Sequence, residues 1–281
     1  PLVRGALPAN TDPAARDAWQ KALAATVLAG GERAPIASFE LVIDAIVKPS
    51  ESGINKIQGL YQYLAPNCVR TRVSETGREY VRGPDGDYLV DPAREGAVKI
   101  GNERESEQDR RQIEIVLAIA QNFVALTDPK ALRIASLAKL AAAPAGLPPK
   151  FEKRAAELVW LDVTSPDFRL TRAAQTNGGE RLYRVQLGLA PDTSLPALAL
   201  LHDGVDATAL APSTVFLELA RWEASGGYKV PRQLNAYEIA SGTPLRFGLD
   251  PSTDVFVKSA TINPPLTPDS FRPVVKAPAF K

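Results

Sequence analysis

Few side chains in this chain of 281 residues are equipped for covalent chemistry. His202 is the sole histidine and Cys68 the sole cysteine. A serine hydrolase needs a carboxylate on one ring nitrogen of histidine and a serine on the other, a geometry that the adjacent pair His202-Asp203 rarely supplies. His202 is therefore expected as an exposed turn residue after the apolar run 198–201. One histidine and one cysteine cannot assemble a zinc site of the usual ligand types. An all-carboxylate Ca²⁺ or Mg²⁺ site stays open on composition, without EF-hand spacing. The acidic stretch 103–109 invites comparison with a glycosidase carboxylate pair, but acids at a helix start favour the helix dipole, and Arg110 and Arg111 follow. The turn Gly83-Pro84-Asp85-Gly86 has hairpin chemistry rather than the strand, glycine loop and helix of a nucleotide site. No catalytic residue, metal or cofactor is expected, and Cys68 reads as a small buried hydrophobe.

Without reactive groups, function falls to the elements and the apolar surfaces they make. The richest segment is 57–90. Ile57, Gly59, Tyr61, Tyr63, Val69, Thr71 and Val73 share odd parity, against Gln58, Gln62, Arg70 and Arg72. Period-two alternation of this kind predicts one long half-buried antiparallel strand, turning at 83–86 and returning through Tyr88, Leu89 and Val90. Before it, Phe39, Leu41, Ile43, Ala45 and Val47 share one face of a strand over 38–47, opposite Glu40 and Asp44. A short strand is expected at 97–100.

Helices flank and interrupt these strands. Thr11 or Asp12 caps a first helix with Pro13 in its first turn and a stripe of Trp19, Leu23 and Val27, ending at Gly30-Gly31. From Ser106, the residues Ile113, Val116, Leu117, Ala120 and Val124 line one helical face, and Thr127-Asp128-Pro129 is expected to restart a helix carrying Leu132, Leu137 and Leu140. Beyond Ala155, strands are expected at 158–163, 168–173, 182–189, 198–201, 215–222, 234–239, 244–249 and 255–262, with hairpins at Asn177-Gly178-Gly179 and Ser225-Gly226-Gly227. Tyr61, Tyr63, Trp160, Phe168 and Trp222 suit either core or the lining of a cavity.

Composition narrows the partners. The chain is 45% hydrophobic and 23% charged, and its 33 basic and 32 acidic residues leave a formal charge of +1, interspersed along the sequence. No segregated field attracts nucleic acid or an anionic membrane. No run of 18 apolar residues exists, so no transmembrane helix is expected.

The order of these features resembles the LolA/LppX-like superfamily of periplasmic lipoprotein carriers. Its marks here are a first helix leading into Ser38-Phe39-Glu40-Leu41, then Gly59-Leu60-Tyr61 running to Pro66 and Arg70. The hairpin Asp85-Gly86-Asp87-Tyr88 follows, and the chain closes with Ala260-Thr261-Ile262-Asn263-Pro264-Pro265-Leu266 before Phe271. The resemblance implies an α+β fold: a strongly curved antiparallel β-sheet, or half-open barrel, with helices packed on its concave face. It implies one domain over 1–281, with an N-terminal helix 12–30, a first sheet half 36–100, a helical insertion 106–143 and a second sheet half 156–272. It further implies a periplasmic or outer-membrane-associated location after export, and non-catalytic binding of lipid or lipoprotein acyl chains. Phe39, Leu41, Ile43, Tyr61, Tyr63, Ile113 and Leu117 are the expected lining. An envelope sensing module that contacts a protein partner, its concave face filled by its own helices, is the alternative. The carriers place a basic residue before the strand-ending proline, where this chain has Ala65. The two helices of 106–143 are accordingly expected to form a lid held mainly by apolar contact, with little dependence on salt.

Overall fold

The computed structural model describes residues 2–28, 34–47, 56–93, 96–101, 103–147, 149–169, 181–202, 215–238, 246–247 and 250–273. The chain gathers into two compact units. The first comprises Pro1–Pro35 and Gln121–Leu245, the second Ile36–Ala120 and Arg246–Lys281. Both are α+β, built from antiparallel ladders that do not close on themselves, the half-open arrangement expected from the sequence.

The second unit holds β1 (Ser38–Val47), β2 (Lys56–Leu64), β3 (Cys68–Val73), β4 (Glu79–Gly83), β5 (Gly86–Val90), β6 (Ala97–Lys99), β13 (Arg246–Phe247) and β14 (Asp250–Ile262). The ladder runs β6-β5-β4-β3-β2-β1-β14, with β13 paired to β14. Here the structure corrects the sequence reading, because 57–73 is two strands. Pro66 has no N–H to give a ladder, and the chain reverses through Ala65-Pro66-Asn67 so that Leu64 pairs with Cys68 and Tyr61 with Thr71. Alternation survives because the reversal keeps odd residues on one face. β4 and β5 close at Gly83 and Gly86 as the turn chemistry requires. Gly83 has a further role: a Cβ there would run into the backbone of Phe271, whose 3₁₀ turn, Pro268–Phe271, packs against β3 and β4. Phe271 and Val81 are fully buried.

In the first unit lie α1 (Pro13–Ala25), the last turns of α2 (Glu107–Thr127), β7 (Ser136–Lys139), α3 (Pro149–Ala156), β8 (Val159–Ser165), β9 (Tyr183–Leu189), β10 (Pro196–His202), β11 (Val215–Ser225) and β12 (Tyr228–Glu238), the ladder running β7-β8-β9-β10-β11-β12. Asp12 caps α1 by accepting from the Ala15 N–H at 3.1 Å. The helix stops at Ala25, short of the expected Gly30-Gly31, which lies outside the described residues. Ala15, Trp19 and Ala22 then pack with Leu126, Leu161, Val163, Val185, Leu187, Leu201 and Leu219 on one face of the ladder.

The opposite face carries Trp160, Leu198, Leu200, Phe216 and Tyr237, covered by Leu147, Phe151 and Ala155. That cover is α3, a helix the sequence reading missed. It took the prolines near 148 as stops, although proline at a helix's first position has a suitable φ and lacks only an N–H that would be unpaired there anyway. Burial on both faces explains why β10 is buried at all seven positions. It also removes His202 from the expected turn.

Two further expectations are corrected. Thr127-Asp128-Pro129 does not restart a helix: Pro129–Ala131 is a single 3₁₀ turn, and Ser136–Lys139 is a strand pairing with Leu161 to Thr164. The strand-pairing groups of β8 outweigh the helix propensity of Leu and Ala there. Phe168 is buried but stands in irregular chain, and the rest of the strand expected at 168–173 is, like Asn177-Gly178-Gly179, mostly or wholly outside the described residues, as is most of 244–249. The other expected hairpin is present. Gly226 and Gly227 take φ 54 and φ 84, the two left-handed positions of the turn joining Ser225 to Tyr228.

Asn263, the closing asparagine of the sequence motif, ties β14 to the start of β1. It holds φ 53, and its Oδ1 accepts from the N–H of Ala37 at 2.8 Å and of Ser38 at 3.2 Å. Asn263→Ala should therefore lower stability by about 1–2 kcal/mol, and Asn263→Gly by less, because glycine keeps the backbone conformation and loses only the bonds. Urea unfolding of the two variants checks the order; equal losses would remove the backbone part of the explanation.

Candidate apolar binding site

β1 and β2 pair without a slip, Phe39 against Tyr63, Leu41 against Tyr61 and Ile43 against Gly59. Strand pairs placed directly opposite share a face. Continuing across the ladder, one row reads Ala260, Leu41, Tyr61, Thr71, Tyr80, Leu89 and Val98, and the next reads Ile262, Phe39, Tyr63, Val69, Arg82 and Asp87. Five of the seven residues expected to line a site, Phe39, Leu41, Ile43, Tyr61 and Tyr63, therefore sit side by side on one face. The rings of Phe39 and Tyr63 are 5.4 Å apart.

The other two, Ile113 and Leu117, come from α2, one helical turn apart. Ile113 packs with Leu89 and Ile100, and with the partly buried Tyr80. All seven residues are 8% exposed or less. Tyr61 is buried deeply enough that its hydroxyl is pushed up to about 12, a bond with Thr71 offsetting part of the effect. Tyr80 reaches about 12 as well, chiefly through burial; the cation of Arg78 opposes this, and its bond to Asp109 adds to it. Both phenols stay protonated and uncharged near neutrality.

Sequence reasoning missed the polar edge of this surface. Val81 looks like the inward residue of β4, and pairing shows the reverse for this face: Tyr80 and Arg82 lie in the apolar rows, while Val81 shares the other face with Gly83 and the Phe271 turn. Arg82 gives two hydrogen bonds to Asp87, from Nε and Nη2, both 2.7 Å. Its Nη2 also lies 2.8 Å from Glu114 of α2. Tyr80 donates to Asp109 at 3.0 Å, and Arg78 stands 3.4 Å from the same carboxylate. The first half of α2 is thus attached to β4 by charge as well as apolar contact. Charged contacts stand beside the apolar ones expected to hold the lid, and the missing second helix removes the expected two-helix lid. Only register could have shown Arg82 inward, since its own alternation points the other way.

His202, the one residue with a catalytic alternative, stands in β10 and is 2% exposed. Its Nε2 is 2.9 Å from Gln186 Oε1, which makes Nε2 the donor, and among the described residues the buried Nδ1 has no partner. Arg184, directly opposite in the ladder, is paired to Asp162 at 2.6 Å. Among the described residues no serine is bonded to the ring, and no group of His, Cys, Asp and Glu is arranged to hold a metal. Burial, with help from the Arg184 cation and against the pull of Asp162, lowers the imidazole from 6.5 to about 4.

No protein-family model matches this sequence, and no curated protein matches it. Solved structures are similar in shape at low identity. An outer membrane lipoprotein-sorting protein domain from Vibrio parahaemolyticus superimposes with a TM-score of 0.45 at 14% identity, covering 91% of this chain and 94% of its own. A DUF1329 family protein from Desulfovibrio piger gives 0.46 at 12% identity over 92% and 97%. A LolA superfamily protein from Nitrosomonas europaea gives 0.41 at 10% identity over 92% and 97%. The likeness is one of fold. Among the described residues no helix is long and apolar enough to cross a membrane.

The His202 environment has a consequence in acid. The unfolded chain takes up a proton near pH 6.5 that the folded chain refuses until about pH 4, so stability is lost as pH falls through that window, by up to ~3 kcal/mol. Urea unfolding between pH 7.5 and pH 4, values set by that window, should show a shallower decline for His202→Gln than for the parent. Equal slopes would mean that the folded chain takes up this proton as readily as the unfolded one.

Proposed function

We propose that this protein binds an apolar ligand without catalysis, the ligand being the acyl chains of a lipid or lipoprotein, and that it works in the bacterial cell envelope after export. One observation carries this reading. Phe39, Leu41, Ile43, Tyr61 and Tyr63 form a contiguous apolar patch on one sheet face, with Ile113 and Leu117 supplied by a helix rather than by another sheet. A helix that covers a sheet face through side chains is easier to displace than a strand, whose backbone groups would all be left unpaired. Acyl chains taking the helix's place on the patch would recover about 0.8 kcal/mol per buried CH₂. The superfamily resemblance of the motifs supports both the ligand class and the location.

The full burial of Ile113 in a cluster with Leu89 and Ile100 favours a second reading, in which the patch is permanently filled by α2 and the fold presents a surface to an envelope protein partner. Binding of a graded series of fatty acids separates the two. For a carrier, each added methylene should tighten binding about fourfold, and Leu41→Asp should abolish it. Native mass spectrometry of the purified protein should find co-purified lipid. Absence of binding at every chain length, with no lipid mass, would leave the partner-binding reading.

A further inference from the structure

The Arg82 cluster adds a headgroup to this picture. We infer that the ligand is an amphiphile whose anionic head, a phosphate or carboxylate, replaces Glu114 on Arg82 when α2 leaves the face; this rests on the apolar-ligand reading above. Arg82 continues the row of Phe39, Tyr63 and Val69, so a chain lying along that row ends at its guanidinium. Asp87, on the adjacent strand of the same hairpin, holds Arg82 through two bonds and stays with it whatever the helix does. Glu114 is the replaceable member. It belongs to α2, meets Arg82 at 2.8 Å, and with 37% of its side chain exposed it is the most accessible of the three.

Charge decides which heads fit. Arg82 and Asp87 cancel, and Glu114 leaves the cluster one net negative charge. An incoming anion restores that balance and occupies the vacated donor, whereas a neutral head leaves the fork of Arg82 partly unfilled, and a cation meets Arg82 itself. The helix carboxylate is thus an internal competitor for the ligand's own, and exchange of the two couples headgroup binding to release of α2. No bond is made or broken, and no cofactor takes part.

Displacement of the fluorescent probe N-phenyl-1-naphthylamine from the full chain tests this, using dodecyl phosphate, dodecanoate and the neutral dodecyl glyceryl ether, all below their micelle concentrations. Both anionic amphiphiles should displace the probe at about tenfold lower concentration than the ether. Glu114→Gln, which removes the competitor and leaves Arg82 and Asp87 in place, should strengthen both anions several-fold and the ether by less, since the ether gains only the easier release of α2; Arg82→Gln should remove the preference. Inorganic phosphate should not compete, since its charge carries no chain. If the ether matches the anions and Glu114→Gln changes nothing, the headgroup inference is overturned while apolar binding stands. If the probe and all three amphiphiles fail to bind, the apolar-ligand reading falls and takes the inference with it. The Glu114→Gln variant keeps the test decisive even where Arg82→Gln fails to fold.

Discussion

The register between β1 and β2 is the constraint on which the candidate site depends. Nine residues of β1 oppose nine of β2 in sequence without a bulge. A slip of one would send Phe39, Leu41 and Ile43 to the face that carries Gln62 and Arg70, and bring Glu40 and Asp44 onto the apolar one. The pairing is fixed from both sides. Gln62 donates to Glu40 at 2.7 Å and Gln58 to Asp44 at 3.2 Å across the wet face, bonds available in this register alone. On the other edge of β1, the ladder with β14 shifts at Val42/Ile43 and again at Ile46/Val47, so the irregularity falls in the pairing with β14 and leaves that with β2 in register.

How much of this was legible in the residues differs by element. Period-two alternation identified the inward face of β1 and β2 correctly, because a half-buried strand has only two faces and apolar side chains choose one. It did not show that 57–73 folds back at Pro66, since a hairpin that conserves parity looks the same as a continuous strand. The opposite failure occurred at 136–139, where Ser-Leu-Ala-Lys has good helix propensity and becomes a strand because β8 lies beside it. α3 was missed because only three of its eight positions are apolar and proline was read only as a terminator. In β10 the apolar run signalled a strand, yet histidine reads as its end, when Gln186 across the ladder gives the ring a bonded place inside.

The candidate site was legible in its apolar part and hidden in its polar part. Tyr61 and Tyr63 advertise their face locally. Arg82 does not, because its orientation is set by four strand pairings between β1 and β5 and by a carboxylate supplied from α2, more than thirty positions later in the chain. A guanidinium half-buried beside two carboxylates keeps its charge, since both neighbours favour the protonated form. The polar end of the surface is therefore a product of topology, and no window of sequence short enough to scan contains it.

The sole histidine has a last consequence, for the molecule as a charged particle. Imidazole is the one side chain that ordinarily changes its charge between about pH 5 and 8. Here it is locked neutral inside β10, and the thiol of Cys68, the nearest alternative, is moved further from neutrality by burial. The histidine consequently adds nothing to the formal net charge of +1 at pH 7 and does not raise it in mild acid. The side chain that ordinarily adds the first positive charge to a protein in mild acid here leaves its electrophoretic mobility and its long-range field untouched.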